Sequence, residues 1–344
     1  MIANSLSYPL KEKFMLNLIG PLKSSPVVKR HPSNPLLTAD DIPYPASLIF
    51  NAGITKYQGK YVMVFRNDMF DANRHYIDTN LGLAYSNDGI KWDVQPKPCF
   101  HMQDEENLRA YDPRLTVIDG KCYICFALDT VHGLRGGIAV TEDFDKFEIL
   151  SLSVPDNRNM ALFPEKIGGM YVRLERPFPI YGRECEGDRF DAWISDSPDL
   201  KYWGNSDLLL AVEHVPFAND KVGPAAPPVK TSRGWLTAFH SVDRDPNRGK
   251  NGWESFWRKR YCAGIMLLDL ENPKKVIGLC KTPLIAPEAS YETDGGFRND
   301  VIFPGGMILE DSGEVKIYYG AADTVECLAT ADVNDLLDLC TPVG

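Results

Sequence analysis

The sequence predicts an all-β protein, a five-bladed β-propeller, on two observations. Short runs rich in Val, Ile, Tyr and Phe, broken by Gly, Asp and Asn turns, recur throughout the 344 residues, and convincing helical stretches are scarce. A unit also recurs along the chain: an apolar strand, a glycine turn, a second strand, then a later strand closed by an acidic or aromatic turn. Five such units with about four strands each fit a propeller better than a sandwich, because each is a small sheet whose faces its neighbours bury.

The first unit spans Asn51 to Arg66 with a later strand from Leu81 to Trp92, and the second spans Asp112 to Phe126 with Gly137 to Phe147. The third runs from Ala161 to Arg176 and closes at Asp199-Leu-Lys-Tyr-Trp203. The fourth runs from Pro227 to His240 with Ile265 to Leu270, and the fifth from Val301 to Tyr319 with Leu328 to Asp332. These units predict one propeller domain over residues 34–344, preceded by an N-terminal arm over residues 1–33.

Composition narrows the function classes. A formal charge of −10 and a pI near 5.2 argue against nucleic-acid or anionic-membrane binding, since those partners select surplus Lys and Arg. The opening segment lacks a basic stretch followed by a sustained apolar core, and no run reaches the roughly 18 apolar residues of a membrane span, so a cytoplasmic location is expected. Several of the eight cysteines lie in apolar strand-like runs, where a thiol behaves as a small hydrophobe. Cys122 and Cys125 have CxxC spacing, but three residues apart on a strand they point to opposite faces. No metal-ligand cluster is expected and no cofactor is required.

In a propeller the innermost strands surround a central channel, so equivalent positions of different blades converge. Asn51 and Asp112 open the first strands of their units, while Arg66, Arg176 and His240 end the strands after the glycine turn. With Arg158 and Lys221, these groups would make a positive pocket in an acidic chain, at an electrostatic cost that a bound anion offsets. Phosphate suits the planar guanidinium fork and the lysine point charge; sulfate or a substrate carboxylate fits nearly as well. Pro113 favours an extended backbone at Asp112, where the bland reading is a turn-initiating aspartate.

From about Asn34 to Leu337 the chain resembles glycoside hydrolase family 130, the β-mannoside phosphorylases and their relatives. The motifs are Phe50-Asn-Ala-Gly53 with Phe65-Arg-Asn-Asp68, Tyr111-Asp-Pro-Arg114, Asn157-Arg-Asn159, Glu175-Arg-Pro177, Lys221-Val-Gly223, Phe239-His-Ser-Val242, Tyr261 and Tyr319-Gly-Ala-Ala-Asp-Thr324. The resemblance implies that Asp112 is the general acid, that Arg158, Arg176, Lys221, His240 and Tyr261 bind phosphate, and that Asn51, Arg66, Asp68 and Asp323 hold the mannosyl unit. It implies no metal, inorganic phosphate as co-substrate, a β-mannoside as the other partner, and assembly into homo-oligomers, with residues 1–33 as a candidate contact arm.

One carboxylate suffices for such chemistry. Inverting glycosidases pair an acid with a base that activates water, whereas phosphate is already a nucleophile and needs only to be held in line. Inversion then yields α-mannose 1-phosphate, with the proton passing from the aspartate through a hydroxyl of the bound mannose in this family. The alternatives are a β-mannosidase using water, whose family examples replace the basic ligands by carboxylates, and a propeller that only binds glycans. Two departures from the commonest pattern, Phe239 in place of Tyr and the long connection Asp243 to Trp253, bear on acceptor specificity; the 243–260 segment is read either as a lid or acceptor wall, or as an oligomer contact. The opening Asn34 to Tyr44 and that connection incline the reading toward β-1,2-mannosides over β-1,4.

Overall fold

The computed structural model describes residues 18–178, 190–248, 252–254 and 257–343. Five antiparallel sheets follow one another along the chain as the blades of a propeller. Blade one comprises Leu48–Tyr57, Lys60–Phe70, Tyr76–Ser86 and Asp93–Val94, and blade two Asn107–Ile118, Lys121–Thr130, Gly133–Thr141 and Glu148–Leu152. Blade three comprises Asn157–Leu162, Tyr171–Pro177, Ala192–Ser197 and Gly204–Leu210; blade four is built on Lys221–Pro224, Gly234–Arg244, Lys259–Leu268 and Val276–Leu279. Blade five takes Ile302–Leu309, Glu314–Ala321 and Val325–Asp332 from the end of the chain and its outermost strand, Lys29–Arg30, from the beginning.

That outermost strand lies within the segment 1–33. Lys29 and Arg30 pair with Thr330 and Ala329, so part of the segment expected to be an arm closes the ring. Arg30 also forks onto the buried carboxylate of Glu292, at 2.7 and 2.8 Å, which fixes this strand to the loop region before blade five. Residues 1–17 lie outside the described residues.

Local chemistry explains the repetition. In blades one and two the first hairpin turns on Gln58-Gly59 and Asp119-Gly120, with both residues of each pair at φ between 49° and 79°. This is the left-handed pair that matches strand twist in a two-residue hairpin. In blades one, two and four a phenylalanine of the second strand lies over a glycine of the third: Phe65 on Gly82, Phe126 on Gly137 and Phe239 on Gly264. A Cβ on any of these glycines would fall within 2.2 Å of the ring, so the pairs lock register.

Apolar clusters fill the seams between blades. Cys122 packs in the cluster shared by blades one and two, and Cys125 in the cluster shared by blades two and three, so the CxxC thiols do lie on opposite faces. Among the described residues, no helix is long and apolar enough to cross a membrane.

Candidate active site

The strands run further than the sequence reading placed them. Asn51 and Asp112 lie inside Leu48–Tyr57 and Asn107–Ile118 rather than opening them, and Arg66 and His240 lie inside Lys60–Phe70 and Gly234–Arg244. What distinguishes these positions is a bulge. The innermost strands of blades one, two and three skip register between Phe50 and Gly53, Tyr111 and Arg114, and Arg158 and Ala161, and that of blade two shifts once more between Asn107 and Arg109. The first residue of each bulge is Asn51, Asp112 or Asn159, at φ 53°, 52° and 57°. Asn and Asp tolerate this left-handed conformation better than other non-glycine residues, and a bulge re-aims its side chain. Asp112 is therefore not extended, despite Pro113: the bulge overrides the local preference and turns the carboxylate inward.

Gly53 and Gly305 allow neighbouring blades to approach at these bulges. A Cβ on Gly53 would meet the backbone of Pro113 and Arg114 at 2.8 and 2.9 Å, and one on Gly305 would strike the carbonyl of Ala52. The residue after each register-locking phenylalanine pairs with the innermost strand: Arg66 with Phe50 and Ala127 with Tyr111, each just before the bulge, and His240 with Gly223, while Arg176 pairs with Arg158 just before the bulge of blade three.

These groups surround a cavity of about 430 Å³, within the range of small-ligand sites. Asn51, Arg66, Asp68, Asp112, Arg158, Arg176, Lys221, Tyr261 and Asp323 all line it. On the blade one and two side the charged side chains that line the cavity are paired. Asp112 Oδ1 accepts from Asn51 Nδ2 at 2.9 Å and from Arg66 Nη1 at 3.1 Å, while Arg66 also forks onto Asp68 at 2.8 and 2.6 Å. The Arg66 guanidinium lies 4.6 and 4.7 Å from the ring centres of Phe50 and Tyr111. Burial pushes the Asp112 carboxyl up, but Arg66 and Arg114, with the Asn51 bond, more than offset it, so Asp112 is held below the usual aspartate value. Burial raises Asp323 above that value, against the pull of Arg298 and Arg66.

The blade three and four side is different. Arg158, Arg176 and Lys221 have no carboxylate within ion-pair distance among the described residues. Arg158 Nε and Arg176 Nε and Nη2 are buried without a hydrogen-bond partner. Burial, then Arg158, presses Arg176 down to about 9, and burial, then Arg176 and Lys259, presses Lys221 well below its ordinary value. Three cations crowded and unpaired are costly unless an anion sits among them.

His240 does not line the cavity. It is fully buried behind Arg176, with Nδ1 donating to the carbonyl of Pro224 at 3.0 Å and Nε2 accepting from Arg176 Nη1 at 3.0 Å. Burial, then Arg176, holds its pKa well below the ordinary value, so the neutral ring orients the guanidinium. Tyr261 stacks between His240 at 6.0 Å and Trp257 at 5.7 Å.

Cavity residues absent from the sequence prediction include Arg109, Tyr111, Asn159 and Arg298 and the aromatic residues Phe70, Tyr76 and Phe297. Asn159 and Tyr111 sit in motifs already singled out, and the bulge equivalence to Asn51 is a signal that could have found Asn159. At the end of the 243–260 segment, Lys259 lines the cavity and bonds Asp220 at 3.0 Å, while Arg260 pairs with Asp243 at 2.8 Å. Arg298 comes from a connection outside the blades and bonds Asp323 Oδ2 at 3.2 Å.

Comparison with known proteins accords with this geometry. Residues 26–342 match glycoside hydrolase family 130, described as beta-1,4-mannooligosaccharide phosphorylase. The chain belongs to glycoside hydrolase family 130. It is 33% identical over 332 residues to a beta-1,4-mannooligosaccharide phosphorylase of Ruminococcus albus, covering 92% of each chain. A 1,2-beta-oligomannan phosphorylase of Thermoanaerobacter is 31% identical, over 84% of this chain and 91% of that one. The solved structure of a beta-1,2-mannobiose phosphorylase from Listeria innocua in complex with beta-1,2-mannobiose superposes with a TM-score of 0.78 at 26% identity, covering 91% of this chain and 99% of that chain.

Proposed function

We propose that this chain is an inverting β-mannoside phosphorylase, converting a β-mannosyl disaccharide or oligosaccharide and inorganic phosphate to α-mannose 1-phosphate and the shortened acceptor. The observation that carries the reading is the trio Arg158, Arg176 and Lys221, without an acidic partner among the described residues, lining one cavity with the carboxylate of Asp112. Phosphate on that trio is the nucleophile, its charge matched by the guanidinium forks and the ammonium. The mannosyl unit lies between, its hydroxyls met by Asn51, Arg66, Asp68 and Asp323. Asp112 supplies the proton for the departing oxygen.

An acid must first carry a proton. In the free pocket Arg66 and Arg114 hold Asp112 ionised. A phosphate dianion beside Arg158 brings negative charge to the pocket and raises the proton affinity of Asp112, so phosphate binding arms the acid it needs. Both Asn51 and Arg66 bond Oδ1, so a proton delivered from Oδ2 disturbs neither contact.

Seven described cysteines are free thiols, which supports a reducing, cytoplasmic setting. Relatives at 33% and 31% identity carry β-1,4 and β-1,2 names respectively, so the deciding assay contains both linkages. Incubation with β-1,4- and β-1,2-mannobiose, with and without phosphate, should give α-mannose 1-phosphate only when phosphate is present. Release of mannose without phosphate would instead identify a hydrolase, and binding without turnover a lectin-like propeller.

A further inference from the structure

We propose that Glu326, buried in blade five behind the cavity, is a positioning residue: it holds the backbone of the blade-one bulge so that Asn51 stays aimed at Asp112. The proposal rests on the phosphorylase reading for the role of Asp112. By leaving the ladder for two residues, a bulge frees backbone groups that, once buried, must find partners elsewhere. In blade one the freed residues are Asn51 and Ala52, and in blade two Asp112 and Pro113. Pro113 has no N–H to satisfy, whereas Ala52, fully buried, does.

The Ala52 N–H donates across the blade seam to Glu326 Oε2 at 3.1 Å. Glu326 is itself anchored: it stands opposite Gly320 in the third strand of blade five, its N–H donates to the Leu37 carbonyl, and its own carbonyl accepts from Leu36 and Leu37. Gly320 makes room for Asn51, since a Cβ there would strike the Asn51 side-chain oxygen and meet its backbone nitrogen at 2.7 Å. Seated against blade five in this way, Asn51 donates from Nδ2 to Asp112 Oδ1 at 2.9 Å. Glu326 does not line the cavity, so its reach to the acid runs through the Ala52 backbone and the Asn51 amide.

Arg114 makes the complementary tie from blade two. Its Nη1 donates to the carbonyl of Pro113 at 2.7 Å and reaches that of Asn51 at 3.5 Å, while Nε donates to the carbonyl of Ala225 at 2.8 Å. Bulge carbonyls of both blades thus meet one guanidinium, and the bulge N–H of Ala52 meets one carboxyl. Glu326 Oε1 is buried with no hydrogen-bond partner among the described residues, so this carboxyl serves the Ala52 N–H. Burial pushes its pKa up to about 8, against the Ala52 bond and Arg114, so near neutral pH it works as an uncharged acceptor.

The test is phosphorolysis of mannobiose, with kcat expressed per site counted by calorimetric titration with inorganic phosphate, whose cations lie on blades three and four. Glu326→Leu should lower kcat per site by about tenfold or more and leave KM for phosphate within about twofold. Glu326→Asp, which keeps the carboxyl and withdraws it by a methylene, should do the same, and it decides the matter where the Leu variant yields no phosphate-binding protein. Glu326→Gln should stay within about twofold of the wild type in both quantities, because its amide oxygen accepts the same N–H. A variant that merely folds less well loses sites and rate together and keeps its kcat per site. That result, or a Gln variant as impaired as the Leu one, would overturn the assignment while leaving the phosphorylase reading intact. A wild-type protein with no phosphate-linked turnover would overturn both.

Discussion

The two sides of the cavity spend charge in opposite ways. Around Asp112, the charges that line the cavity from blades one and two are paired: Arg66 bonds both Asp112 and Asp68, and Asn51 donates to Asp112. On blades three and four, Arg158, Arg176 and Lys221 repel one another and have no acidic partner among the described residues. In the proposed reaction the paired side would hold a neutral sugar with fixed dipoles and one movable proton, whereas the other side concentrates repulsion that a bound dianion would relieve. The sides therefore divide the labour of a reaction that needs an acid but no base.

The largest effect should come from the paired side. Asp112→Asn keeps the shape and removes the proton, so kcat should fall by about 10²–10⁴ with mannoside affinity by calorimetry little changed. Near-normal turnover would take Asp112 out of the chemistry. On the unpaired side, Arg176→Met should raise KM for phosphate about a hundredfold, the loss of two charge-assisted bonds. The same variant should melt no earlier than the wild type without phosphate, since it replaces a buried unpaired charge by an apolar chain. A clear fall in melting temperature would mean that Arg176 is structural and that the contrast between the sides is false.

His240→Ala tests the ring behind Arg176. It should raise KM for phosphate about tenfold, less than loss of the guanidinium itself, because the cation remains but loses its orientation. The smallest effect is a pH dependence. The folded-state pKa of Lys221 is depressed below its ordinary 10.5, so the free protein sheds that proton as pH rises through the lowered value, and the cation that phosphate meets is lost there. KM for phosphate should climb over this window by a few-fold per pH unit. Stability without phosphate should rise over the same window, because the unfolded chain then binds more protons than the folded one. Lys221→Met should flatten both profiles.

Much of this was written in the sequence. The hairpin glycines and the alternation of strand residues announced five blades, since two-residue turns and half-buried strands constrain composition locally. The motifs around Asp112, Arg158, Arg176 and Lys221 named cavity residues. Other features were not legible. His240 stands in register with Arg66, and only packing shows that its ring lies behind Arg176 rather than in the cavity. Arg298 belongs to no repeat and reaches the cavity from a connection whose path no periodicity predicts.

The sequence alone determined the architecture and the chemical types available to the site, because strand pattern and turn chemistry act over a few residues. The tertiary structure decided which way those groups point and which remain unpaired. Asp112 faces inward only because a bulge places it at φ 52°, against the preference that Pro113 imposes, and that bulge is accommodated only because Gly53 lets blade one press against its backbone. Whether a cation is paired depends on blades far apart in the chain, and a ring of sheets settles that only when it closes.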